Sequence, residues 1–74
     1  MKYQGGMLTE LVREIFAKGC TIESEVFVDR LKVQIVRMMD RPSKLYKIHY
    51  AGRNRVVQIF TKVDDGNWFD WIEV

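Results

Sequence analysis

The apolar residues of this chain change period once, at Gly19. Before it, Leu8, Leu11, Val12, Ile15 and Phe16 fall at i, i+3, i+4, i+7 and i+8. That spacing makes one amphipathic helical stripe, and it is the only good one in the sequence. Glu10 lies early and Lys18 late, as the helix dipole prefers, and Glu14 and Lys18 form an i,i+4 pair in the better orientation. Gly19 is a natural C-terminal stop. The pattern predicts a helix over residues 7–18, preceded by a short polar leader at residues 1–6. Met7 is itself a possible start.

After Gly19 the period is two. Ile22, Val26 and Val28 alternate with more polar positions, and Leu31, Val33 and Ile35 alternate with Lys32 and Gln34. Asp29–Arg30 separates the two runs, and a two-residue connection there pairs Val28 with Leu31. Neither residue is Gly or Asn, so the turn chemistry is poor, and one long bulged strand is the alternative. A helix from Arg30 to Met39 also fits in part, through Leu31, Ile35, Met38 and Met39. The Val-rich alternation favours strand. Asp40 to Lys44 contains Pro42 and reads as a loop. Leu45–Ala51, Arg55–Val63 and Trp68–Val74 follow as strands, the last two joined through the turn signal Asp64–Asp65–Gly66–Asn67. The fold class is α+β: one N-terminal helix packed on an antiparallel meander of four to five strands, forming a single domain over residues 7–74.

Pairing Tyr50 with Arg55 places Ile48 opposite Val57 and Tyr46 opposite Ile59. Pairing Val63 with Trp68 places Ile59 opposite Ile72. One face then carries Tyr46, Ile48, Val57, Ile59, Val63, Trp68, Ile72 and Val74, with the helix lying on it through Leu11 and Ile15. The other carries Lys47, His49, Val56, Gln58, Phe60, Lys62, Phe69, Trp71 and Glu73. Phe60 faces Trp71 and Lys62 faces Phe69. One short helix cannot cover both faces, so this second face is either a contact surface or a second small core beneath the N-terminal strands.

A chain of 74 residues buries only about 60% of its unfolded surface, and small scaffolds of this size usually add a disulfide, a metal or a second subunit. Cys20 alone cannot close an internal disulfide, and Cys20 with His49 cannot fill a structural zinc site. No apolar run approaches a membrane span and no export signal opens the chain, which points to a reducing cytoplasm.

Net charge is only +2, but it is segregated. Residues 1–29 are net −2. Residues 30–62 hold nine Lys and Arg against Asp40 alone, a net +8. Residues 63–74 are net −4. Arg41, Lys44, Arg53 and Arg55 fall in or beside loops, where clustered cations suit phosphate or carboxylate; the bland alternative is a solvated face paired with the acidic ends. The candidate binding residues are therefore Arg41, Lys44, Lys47, Arg53, Arg55 and Lys62 with the aromatics Phe60, Phe69 and Trp71. Cys20 reads as a small apolar residue rather than a nucleophile, and His49 lacks companion ligands. Asp64, Asp65, Asn67 and Asp70 do not match a calcium loop. No catalytic residue, metal or cofactor is expected, and the chain reads as non-enzymatic.

The segment Leu11–Val12–Arg13–Glu14–Ile15, followed by Lys18 and Thr21, resembles the opening of small phage anti-CRISPR proteins that block a CRISPR nuclease. The resemblance spans roughly a quarter of the chain. It implies a short, cytoplasmic, non-catalytic phage protein that occupies a surface of a host defence complex. The acidic DNA mimicry of that class does not carry over, because the central block here is +8. The expected function is that of an interaction module, an inhibitor binding a nucleoprotein through cationic loops and an aromatic sheet face. The alternatives are direct binding of single-stranded nucleic acid, by base stacking on the sheet, and a homodimer closed by the aromatic face.

Overall fold

The computed structural model describes residues 5–52, 54–63 and 66–70, with side chains from residue 8 onward. The helix α1 spans Gly5–Lys18 and is followed by β1 (Cys20–Val28), β2 (Leu31–Met38), β3 (Lys44–Ala51), β4 (Arg55–Val63) and the short β5 (Phe69–Asp70). The five strands form one antiparallel sheet in the order β1-β2-β3-β4-β5. This is the expected α+β arrangement.

The helix stops where the sequence requires. Gly19 has φ 98°, its N–H donates to the carbonyl of Phe16 at 3.1 Å, and its own carbonyl accepts from Met39 N–H at 3.1 Å. A left-handed residue there costs glycine nothing and turns the chain directly into β1. The start differs from expectation by two residues, at Gly5 instead of Met7. No Ser, Thr, Asp or Asn precedes Met7 to mark an N-cap, so this boundary had no signal. Residues 30–39, which fitted either helix or strand, belong mostly to β2.

The Asp29–Arg30 connection is a two-residue turn that pairs Val28 with Leu31, and both residues have positive φ, 50° and 68°. That is the requirement of a type I′ hairpin, met without glycine. Holding Arg in the left-handed region costs about 1–2 kcal/mol, and glycine's extra unfolded entropy takes back about 0.5–1 kcal/mol. Arg30→Gly is therefore expected to stabilise the fold by about 0.5–1 kcal/mol, raising the thermal midpoint by roughly 4 °C. A scan by circular dichroism showing no gain would mean the turn is not strained.

The core lies between α1 and one face of β2–β4. Leu8, Val12 and Ile15 meet Val36, Met38, Tyr46, Ile48, Tyr50, Val56 and Ile59, with Leu11 partly buried against them. Phe16, at the edge of the helical stripe, stays exposed. The helix packs chiefly along β4, so it leaves β1 uncovered.

Two departures from the expected register decide which residues reach this core. The β3–β4 connection, residues 52–54, returns the chain with Ala51 opposite Arg55, and a bulge then leaves Val57 without a partner. The pairs become Tyr50–Val56, Ile48–Ile59 and Tyr46–Thr61. Val56, assigned from sequence to the other face, is 2% exposed and takes the core place expected of Val57. The β4–β5 pairing is also shifted by one, with Thr61 opposite Phe69 and Phe60 opposite Asp70. A one-residue slip exchanges faces. It moves Phe69 to the helix side of the sheet and Trp68 to the other. The expected Phe60–Trp71 and Lys62–Phe69 pairings are thus replaced. Ile72 and Val74, expected in the core, lie outside the described residues.

Candidate functional site

The face of the sheet that α1 does not touch has two halves. On β1 and β2 it is aliphatic, with Val26 and Val28 exposed and Leu31, Val33 and Ile35 half-buried. On β3, β4 and the approach to β5 it carries Leu45, Lys47, His49, Gln58, Phe60, Lys62 and Trp68. The aliphatic half follows from β2 itself. Gln34, Val36 and Met38 point to the helix, while Leu31, Val33 and Ile35 point away. A strand apolar on both sides calls for cover on both sides. That alternation was the sequence signal for this half of the surface, and the expected site omitted it.

The other half is built around cations resting on aromatic rings. Lys47 Nζ lies 5.2 Å from the centre of the Phe60 ring and 4.9 Å from that of Trp68. Lys62 Nζ lies 4.9 Å from the Trp68 ring. Cation–π attraction holds each ammonium over the surface and lets the aliphatic stems cover apolar area. The His49 ring packs against Phe60 with centroids 5.3 Å apart, tilted by 52°. Burial, with the nearby Lys47 charge, pushes the His49 pKa below its ordinary value. Its enclosed Nε2 has no hydrogen-bond partner among the described residues. The imidazole is therefore neutral at pH 7, and Lys47 and Lys62 supply the positive charge here.

The sequence-predicted residues divide among several places. Lys47, Phe60 and Lys62 come together as expected, and Trp68, assigned from sequence to the core, joins them. Arg41 and Lys44 lie on the helix side, beside a cleft between α1 and the β2–β3 connection that Lys18, Met38 and Asp40 also line. Lys44 Nζ sits 5.4 Å from the Tyr46 ring there. Arg55 opens β4 at the opposite end of β3, so Arg41 and Lys44 do not share a basic patch with it. Phe69 lies on the helix side and is 59% exposed. Arg53 and Trp71 fall outside the described residues.

Part of the central positive block is neutralised internally. Arg37 donates from Nε to Glu23 Oε2 at 2.5 Å and from Nη2 to Oε1 at 3.2 Å, and also donates to the carbonyl of Pro42. The Arg37–Glu23 hydrogen bond holds the Glu23 carboxyl below its usual pKa and ties the β1 bulge at Glu23 to β2. Lys32 donates to Asn54 Oδ1 at 2.8 Å. Lys47 and Lys62 have no carboxylate partner of this kind recorded among the described residues. Among those residues there is also no grouping of three or more metal-ligating side chains and no helix long and apolar enough to cross a membrane.

No family model, curated protein or solved structure matches the chain.

Proposed function

We propose that the protein is a non-enzymatic interaction module that docks an acidic, apolar-striped protein surface on the open face of its sheet. The observation that carries this reading is the placement of Lys47 and Lys62 over Phe60 and Trp68, with Ile35 directly opposite Lys47 and the half-buried Val33 and Leu31 continuing the same face along β2. A two-layer α/β unit leaves one sheet face without a partner layer, and a second helix with carboxylates flanking an apolar stripe fits it in both respects. Charge-assisted contacts to preplaced ammonium groups steer the encounter and fix its register. Blocking a host defence nucleoprotein, the role implied by the resemblance of the helix segment, is a narrower form of the same reading.

Direct binding of single-stranded nucleic acid is the second reading, favoured by the same aromatic–cation cluster. The aliphatic half weighs against it, since a nucleic-acid platform gains nothing from the exposed Val26 and Val28 and the half-buried Leu31, Val33 and Ile35 beside the phosphates.

The test is affinity capture from a candidate host lysate with wild type and the double variant Lys47→Glu/Lys62→Glu, each checked for an unchanged thermal midpoint. A protein target retained by wild type is expected to bind the variant about a hundredfold more weakly, at roughly 1.5 kcal/mol per charged hydrogen bond lost. Random oligonucleotides should not compete. Equal capture by the folded variant would remove the open face from the function. Oligonucleotide binding whose affinity falls steeply with salt, without a protein target, would establish the second reading instead.

A further inference from the structure

Eight large apolar side chains are exposed among the described residues, and four of them, Ile22, Val26, Phe27 and Val28, belong to β1. Phe27 is 75% exposed, the highest of the set. β1 is an edge of the sheet, nine residues long and uncovered by α1. A long apolar edge strand is a template for another strand, and most proteins blunt it.

The hairpin fixes which backbone groups the edge offers. A two-residue turn closes on a hydrogen-bonded pair, here Val28 with Leu31. The N–H and C=O of Val28 and Val26 therefore point to β2, while those of Phe27 and Glu25 point outward. The Glu25 carboxylate is drawn back over the sheet, accepting from Gln34 Nε2 at 3.0 Å.

We propose that two copies of the chain pair antiparallel through β1, about a two-fold axis at Val26. In this register Glu25 and Phe27 of one copy exchange backbone bonds with Phe27 and Glu25 of the other, four bonds in all. Val26 faces its own mate across the axis and Ser24 faces Val28, all on the open side of the sheet. On the helix side each Phe27 lies diagonal to the other Phe27, within aromatic reach. Neighbouring registers are worse. A shift one way opposes Glu25 with Glu25. A shift the other way leaves only the Phe27 pair bonded, because Asp29 is already in the turn. Pairing β1 with the opposite edge is disfavoured, since residues 63–74 carry net −4 against Glu23 and Glu25, and it would build an open chain of subunits. The two-fold arrangement closes, gives one continuous ten-stranded sheet, and supplies the second subunit that a chain without an internal disulfide lacks.

The test is sedimentation equilibrium from low micromolar to millimolar concentration. Wild type is expected to move from monomer to dimer. Phe27→Pro removes an outward N–H without touching the β1–β2 bonds, a substitution edge strands tolerate. It should remain monomeric throughout with wild-type circular dichroism at low concentration. Phe27→Lys is expected to do the same and decides the matter if the proline variant does not fold. In a Cys20→Ser background, Val26→Cys should form an intermolecular disulfide on oxidation, because a non-hydrogen-bonded pair on the axis sits about 4.5 Å apart at Cα. Ser24→Cys should not. A monomer at every concentration would overturn the proposal. So would a dimer that survives both Phe27 variants, or crosslinking at position 24 in place of 26.

Discussion

Ile59→Ala is expected to destabilise the fold by about 2–5 kcal/mol, and Ile35→Ala by less than about 1.5 kcal/mol. Both are isoleucines in the middle of a strand, so intrinsic propensity cancels between them. Ile59 is fully buried opposite Ile48, also fully buried, beneath the Val12 and Ile15 stripe of α1. Truncating it removes contacts on all sides and leaves a cavity that a short helix cannot collapse to fill. Ile35 sits on the open face, half-buried between strands, where water fills the space left by a shortened side chain. A 74-residue chain typically holds roughly 4–11 kcal/mol in total, so the first change consumes a large part of the stability and the second does not. Urea unfolding followed by circular dichroism measures both on one scale. Equal losses would mean that the open face is a second core, and an interaction surface there would no longer be tenable.

The element order was legible because the period change at Gly19 is abrupt and because Gly19 and Pro42 each admit only one local solution. The faces were legible for β3, whose turn-to-turn alternation is clean, and for Ile59, Phe60 and Lys62 on β4. They were not legible at Val56 and Val57. The bulge that selects between these neighbouring valines leaves no mark in the sequence, since both are equally good strand residues. The same weakness moved Trp68 and Phe69 between faces, because an Asp-Asp-Gly-Asn turn signal states that the chain reverses but not at which residue pairing resumes. Asp29–Arg30 shows the converse. Its turn chemistry is unfavourable, yet the two-residue connection forms. Pairing the apolar runs on either side outweighs the left-handed strain in the turn, which reaches about 1–2 kcal/mol at Arg30 alone.

Charge was the least transferable signal. A block of +8 in sequence is not a patch in space, because strands that alternate direction carry successive loops to opposite ends of the sheet. Arg41 and Arg55 are separated by the full length of β3, roughly 25 Å at about 3.3 Å per residue. Lys47 and Lys62, fifteen positions apart, meet over one indole because β3 and β4 pair in antiparallel register.

Tyr50→Phe is expected to cost about 1–3 kcal/mol at neutral pH, the second-largest effect, through a single hydroxyl. Tyr50 O–H donates to Gln34 Oε1 at 2.7 Å, and Gln34 Nε2 donates onward to Glu25 Oε1. This chain crosses β3, β2 and β1 on the helix side, running from the core at Tyr50 out to the exposed edge strand. Gln34 is 6% exposed, so removing the phenol leaves its amide oxygen buried without that donor and water poorly placed to replace it. The same bond predicts an alkaline signature. Burial, followed by the Cys20 and Glu25 charges, pushes the Tyr50 pKa up to about 12, against an ordinary value near 10. Between those values the unfolded chain releases the phenolic proton while the folded chain keeps it. The native state then binds more protons, and stability falls as pH rises. The contribution is fully present below pH 10 and is lost as pH passes through about 12. Effects common to wild type and variant cancel in the difference between their urea midpoints, and the phenylalanine ring keeps the contact that Lys32 makes 4.8 Å from the Tyr50 ring centre. That difference should be constant from pH 7 to about pH 9.5 and shrink steadily above pH 10. A difference that stays constant to pH 12 would show that the hydroxyl is open to water and that β1 is not held to the core through this chain of bonds.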